Sequence, residues 1–162
     1  MGHIISFTNQ KGGVGKTTSA VNVALSLGVT EEKTLLIDQD PQANATTGVM
    51  DISDPPTSSI YDVLIKDVPV KDAITSTKFP ELDLIASTND LVGAEIELVS
   101  IMAREYQLQK CLKFIKKKYK FIIIDCPPSL GLLTINALTA SDSIIIPIQS
   151  EYYALEGLGQ LL

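Results

Sequence analysis

Four short, nearly continuous apolar runs constrain this chain more than any other feature. They are Ile4-Ile5-Ser6-Phe7, Leu35-Leu36-Ile37, Phe121-Ile122-Ile123-Ile124 and Ile144-Ile145-Ile146. All are rich in β-branched residues and none alternates apolar with polar, which predicts strands buried on both faces. Residues 82–86 make a fifth, less apolar run. Helical stripes fall between the strands. Ala20, Val23, Ala24 and Leu27 form one, with Gly28 as its expected stop. Leu91, Ala94, Leu98, Ile101 and Met102 form a second. Leu108, Cys111, Leu112 and Ile115 form a third, and Leu133, Ala137 and Leu138 a fourth. Residues 54–58 read as a surface loop leading to a short helix over 60–65. Alternation of this kind predicts an α/β fold in three layers, a mostly parallel sheet with helices on both faces. No repeat or interdomain linker interrupts it, so residues 1–162 are expected to form one domain.

The bulk numbers agree. A chain of 162 residues can bury one core, and 45% hydrophobic with 20% charged residues is ordinary for a globular domain. The net charge of −6 argues against a broad nucleic-acid-binding surface. No apolar run approaches the roughly 18 residues of a membrane span. Cys111 and Cys126 have no metal-binding or redox spacing, which fits a reduced, cytoplasmic protein. Lys116-Lys117-Lys118 reads as the solvated end of the third helix, complementing its dipole, in preference to a nucleic-acid contact.

The chemistry begins after the first strand. Gln10-Lys11-Gly12-Gly13-Val14-Gly15-Lys16-Thr17-Thr18 leads from an apolar strand into a helix. Glycines let backbone N–H groups turn inward toward phosphates, and the helix start adds its dipole and free amides. Lys16 is expected at the β- and γ-phosphates and the Thr17 hydroxyl on Mg²⁺. The general P-loop pattern has glycine where this chain has Gln10. Two strands end in aspartate, at Asp38 (continuing to Asp40) and at Asp125, the positions where open parallel sheets place nucleotide sites. Hydrolysis of Mg·ATP needs one carboxylate to hold the metal's water shell and one to orient or deprotonate the attacking water. Asp125 is expected to hold a Mg²⁺ water. Asp38 and Asp40 share a loop, and the residues alone rank them poorly; Asp38 is a further candidate near the metal, and either aspartate could cap the segment that follows. Cys126 reads as a small packing residue.

Lys11-Gly12-Gly13-Val14-Gly15-Lys16-Thr17-Thr18, Asp38-Gln39-Asp40-Pro41-Gln42-Ala43-Asn44, Asp125-Cys126-Pro127-Pro128-Ser129 and Glu151-Tyr152-Tyr153-Ala154-Leu155-Glu156-Gly157 together resemble the deviant-Walker-A ATPases. The similarity is to the ParA/Soj partition proteins of the MinD/ParA family, and it runs nearly end to end. The resemblance implies a P-loop NTPase that binds ATP and Mg²⁺ and forms a homodimer with ATP sandwiched between subunits. It implies slow hydrolysis, stimulated by a ParB-type partner and DNA. Lys11 is then the signature lysine, reaching the partner subunit's phosphates, and Gly12 lies where subunits close on one another. Gly13, Val14, Gly15, Lys16, Thr17 and Thr18 hold the nucleotide, with Thr18 at the α-phosphate. Asp40 positions the attacking water. Relatives of this kind run longer and the helix expected from Tyr153 has no stop signal, so a C-terminal continuation is expected. Adenine contacts and the basic residues for non-specific DNA are expected there, with nucleoid association of the longer protein and no membrane binding. The alternatives are a MinD-like membrane-associated ATPase and a non-catalytic nucleotide-binding fragment.

Overall fold

The computed structural model describes residues 2–50 and 55–149. The expected helix from Tyr153 and the Glu151–Gly157 motif lie outside the described residues, as does Asp54, the first position of the expected loop at 54–58.

The chain opens with β1 (His3–Phe7), α1 (Lys16–Val29), β2 (Thr34–Asp38), α2 (Asn44–Val49) and α3 (Ile60–Ile65). A 3-10 turn (Val70–Ala73) then precedes β3 (Ile74–Ser76), followed by β4 (Leu82–Ile85) and α4 (Leu91–Glu97). Two further 3-10 turns lead to α5 (Gln107–Leu112), β5 (Phe121–Asp125), α6 (Leu132–Ala140) and β6 (Ser143–Ile145). Among the described residues the strands form one sheet in the order β3-β4-β2-β5-β1-β6, parallel except where β3 pairs β4.

Burial on both faces explains the continuous apolar runs. Leu35, Ile37, Ile122 and Ile124 face a core shared with α3, α4, α5 and α6. Leu36, Leu84 and Ile123 face the opposite way, onto Ala20 and Ala24 of α1 and Ala45 of α2. The three-layer α/β architecture expected from the sequence is therefore present.

Several local readings are corrected. The stripe from Leu91 to Met102 is not one helix. Ile101 turns extended and Ala103 takes a left-handed backbone with φ 52°, so Met102 is 88% exposed. The Arg104 guanidinium donates to Val99 O and the Gln107 side-chain amide to Met102 O, capping the broken segment. The run at 144–146 gives β6, which among the described residues pairs with β1 alone and is exposed along its length. The third helix ends at Leu112, and Lys116 forms an ion pair with Asp142 at 2.8 Å instead of complementing a helix end. The short β3 was not anticipated, nor was α2, which begins after Ala43 at φ 52°.

Gly28 is not the stop of α1. It lies buried inside the helix, where a Cβ would sit 2.8 Å from the Pro80 carbonyl oxygen. Glycine at this point lets α1 approach the turn before β4. Alanine ordinarily gains about 1 kcal/mol over glycine inside a helix. Here overpacking against a backbone carbonyl costs about 1–3 kcal/mol and exceeds that gain. Gly28→Ala is therefore expected to lower the thermal midpoint, measured by circular dichroism; an equal or higher midpoint would show that the turn yields freely.

Candidate phosphate-binding site

Parallel strands carry their carboxyl termini to one edge of the sheet, and two of them end there in aspartate. Phe7, Asp38 and Asp125 are register partners at the ends of β1, β2 and β5. The Gln39 N–H donates to Asp125 O at 2.9 Å and the Cys126 N–H to Phe7 O at 3.1 Å, so the ladder fixes the height of each side chain.

The loop after β1 holds Gly13 at φ 73° and Gly15 at φ 89°, a left-handed backbone that L side chains rarely adopt. Among the described residues, side-chain carbons added at Gly12, Gly13 or Gly15 would meet no protein atom within 4 Å. Gly13 and Gly15 therefore satisfy backbone geometry, and all three glycines leave the concavity open. Gly15 is the N-cap of α1 and supplies no side-chain cap, which leaves the first amides of the helix for a ligand. Val14 is buried, Thr17 half-buried, and Gly12, Gly13, Lys11 and Thr18 are exposed.

Lys16 is buried, and its Nζ donates to Lys11 O at 3.1 Å, curling the loop around the ammonium. Burial lowers its pKa, opposed by the nearby charges of Asp125 and Asp40 and by Cys126. Two contacts brace the loop from outside: the Lys11 N–H donates to Asn9 Oδ1 at 3.0 Å, and Gln149 Nε2 donates to Gly13 O at 3.1 Å. Asn9 Nδ2 in turn donates to Pro147 O at 2.8 Å. The segment after β6 thus holds the loop from a distance of 136 residues, which no local signal could reveal.

The three aspartates have different environments. Asp38 Oδ2 accepts from the Thr46 N–H at 2.7 Å and the Thr46 hydroxyl at 2.8 Å, and its Oδ1 accepts from the Asp40 N–H at 3.1 Å. Thr46 Oγ1 also accepts from the Ser87 N–H at 2.9 Å, so Asp38 is the centre of a network joining β2, α2 and the end of β4. Asp40 is nearly buried and uses Oδ1 to accept from the Gln42 N–H at 2.9 Å. Asp125 is fully buried, and among the described residues neither carboxylate oxygen has a hydrogen-bond partner. The Thr17 hydroxyl is near enough to favour its charged form but outside hydrogen-bond geometry. Unpartnered buried oxygens are costly, and they accumulate on this edge, at Thr8, Gln39, Ser87 and Thr88 as well.

Burial is the largest influence on both buried carboxyls. It pushes Asp125 up to about 7, opposed by Thr17 and Lys16 and aided by Asp38 and Asp40. It pushes Asp38 up to about 6 against the Thr46 and Asp40 hydrogen bonds. Cys126 is buried beside them with its pKa raised by desolvation, which suits packing and not thiolate chemistry. Among the described residues no three His, Cys, Asp or Glu converge as a metal cage. Mg²⁺ does not need one, because it keeps several waters and takes few protein ligands. The residues fit such an ion: the open cradle, the Thr17 hydroxyl and an orphaned carboxylate lie together.

An apolar cavity of about 510 Å³ between α3 and α5, lined by Val63, Val70, Cys111 and Phe114, shares no residue with this edge. Its size does not locate the chemistry; the convergent polar groups do.

Comparison with known proteins gives the same direction. Residues 2–162 match the family described as AAA domain (AAA_31). The chain is 56% identical over 162 residues to the sporulation initiation inhibitor protein Soj of Bacillus subtilis, covering 100% of this chain and 64% of Soj. It is 52% identical to the chromosome partitioning protein ParA of Myxococcus xanthus, covering 99% of this chain and 57% of that protein. The solved structure of cobyrinic acid a,c-diamide synthase from Mycobacterium smegmatis, with bound ATP analogue and magnesium, superposes with a TM-score of 0.92 at 38% identity. That match covers 99% of this chain and 66% of the synthase. The chain spans less than two thirds of the length of each.

The raised carboxyls set a pH dependence. Between the ordinary value of 3.8 and about 7, folded Asp125 keeps a proton that the unfolded chain has released. Stability of the ligand-free protein therefore falls as pH rises through that window, and the loss is complete above about 7. Asp38 acts in the same sense up to about 6. Asp125→Asn is expected to raise the thermal midpoint at pH 8 by several degrees and to flatten the pH slope, from order 1–3 kcal/mol of relieved desolvation. A lower midpoint at pH 8 would mean that the carboxylate is stabilising where it lies.

Proposed function

This chain belongs to the AAA domain family (AAA_31), and from that premise we propose that it is the ATP-binding, slowly ATP-hydrolysing part of a chromosome or plasmid partition switch. The observation that carries the reading is the pairing of buried Lys16, at the opening of α1, with an orphaned Asp125 at the tip of β5. Lysine neutralises phosphate charge, and a carboxylate without protein partners is ready for a metal's water shell.

In this reading the amides of residues 12–17 bind the triphosphate, Lys16 lies at the β- and γ-phosphates, and Thr18 supports the α-phosphate. Thr17 and, through water, Asp125 would hold Mg²⁺, which when bound neutralises charge on the phosphate oxygens. Asp38 has both oxygens engaged by Thr46 and the Asp40 N–H, so its role is to hold the loop that presents Asp40. Asp40 orients the attacking water. Lys11 serves a second subunit: a cation delivered across a dimer neutralises charge developing on the transferred phosphoryl group and ties hydrolysis to dimerisation. Gly12 is exposed at the same opening, where a side chain would separate the two subunits.

Soj and ParA, at 56% and 52% identity, support partition over the reaction named for the synthase, at 38%. A ParB-type partner and non-specific DNA are proposed for the whole protein, with adenine and DNA contacts in the remainder of its length. The net charge of −6 on this chain agrees with DNA being held elsewhere. Among the described residues no helix is long and apolar enough to cross a membrane. Cytoplasmic location with association to the nucleoid is the corresponding proposal.

Turnover of labelled ATP and sedimentation of the full-length protein test this. Lys16→Ala is expected to abolish nucleotide binding. Lys11→Ala and Gly12→Val keep binding but lose ATP-dependent dimers, with turnover down by roughly a hundredfold or more. Asp40→Ala keeps the dimer and loses turnover. Dimer formation by Lys11→Ala and Gly12→Val equal to that of the unaltered protein would overturn the reading.

A further inference from the structure

We propose that Glu95 is a positioning residue for Asp125, because its carboxylate clamps the start of α6 and thereby fixes the loop of residues 126–131. The inference rests on the nucleotide reading above and adds a residue to it from the sheet face opposite α1.

The first amides of a helix have no partner within it, and α6 begins after Gly131, which has no side chain to offer them. Glu95, on α4, supplies what is missing. Its Oε2 accepts from the Leu132 N–H at 2.7 Å and its Oε1 from the Leu133 N–H at 3.2 Å. Both bonds are charge-assisted, and the carboxylate lies at the positive end of the helix dipole. Gly131 has φ −77° and ψ −173°, a backbone open to any residue. A Cβ added there would run into the Glu95 carboxylate, the movable end of a side chain, so a larger residue would displace Glu95 from the two amides. Glu95 and Gly131 are thus two halves of one contact.

The loop between Asp125 and Leu132 is consequently held at both ends. At its start the Cys126 N–H donates to Phe7 O at 3.1 Å, and the Thr134 hydroxyl holds Ser129 O at 2.7 Å. At its end Glu95 anchors it to α4, which follows the carboxyl end of β4. Among the described residues the Asp125 carboxylate has no hydrogen-bond partner, so its placement depends on backbone restraints of this kind.

The test uses the full-length protein with Glu95→Ala, Glu95→Gln, Gly131→Ala and the Glu95→Ala/Gly131→Ala double variant. Three quantities are read: hydrogen exchange of the 126–133 amides without nucleotide, single-turnover ATP hydrolysis, and the Kd of a fluorescent ATP analogue. Glu95→Ala and Gly131→Ala are each expected to speed exchange at Leu132 and Leu133 and to slow hydrolysis about tenfold, with Kd changed less than about threefold. The double variant is expected to be no slower than Glu95→Ala alone, since one contact is lost once. Glu95→Gln keeps a carbonyl acceptor and recovers most of the protection and rate. Faster exchange with unchanged hydrolysis would reduce the clamp to a structural role and overturn the proposal, as would additive losses in the double variant. If Glu95→Ala does not fold, Gly131→Ala and Glu95→Gln decide. Absence of turnover in the unaltered protein removes the nucleotide reading and the positioning role with it, while exchange still reports whether the clamp exists.

Discussion

A buried carboxylate without hydrogen-bond partners, set beside a buried ammonium, is the constraint around which this molecule is arranged. Asp125 is fully buried, and among the described residues no donor reaches its carboxylate. Its environment raises its pKa to about 7, so the ionised form is costly to the ligand-free fold. The open loop of Gly12, Gly13 and Gly15 adjoins it. Both features become favourable together when a polyanion and its cation occupy the edge of the sheet.

The surrounding fold serves to hold that edge still. Parallel pairing puts Asp38, Asp125 and Phe7 level. The Asp38–Thr46–Ser87 network joins β2 to α2 and β4, so the loop bearing Asp40 is fixed from beneath. From the other end of the chain, Gln149 and Pro147 engage the phosphate loop and Asn9. Glu95 performs the corresponding task on the opposite face. The site is held by contacts from elements far apart in sequence, while the phosphate loop itself is one short segment.

Much of the fold was legible because its signals are local. Residues buried on both faces must be apolar without alternation, so β1, β2, β4 and β5 were visible as runs. What failed depended on neighbours. The run at 144–146 has the composition of an inner strand but lies at an edge of the described sheet, since composition does not state how many partners a strand has. The stripe from Leu91 to Met102 broke before its end, where Ile101 turns extended and Ala103 takes a left-handed backbone that alanine does not advertise. Gly28 resembled a helix stop, and is instead a point of close approach to Pro80.

The sequence by itself determined the phosphate loop, the alternation of the buried strands with helices, and the acids at strand tips. Each of these follows from backbone geometry over a few consecutive residues. Only the tertiary structure separated Asp38, whose oxygens are both engaged, from Asp125, whose oxygens are not, and only it joined Glu95 to Gly131. The reason is physical: an aspartate's chemistry depends on which donors reach it, and those donors lie on elements whose meeting is set by the packing of the whole core.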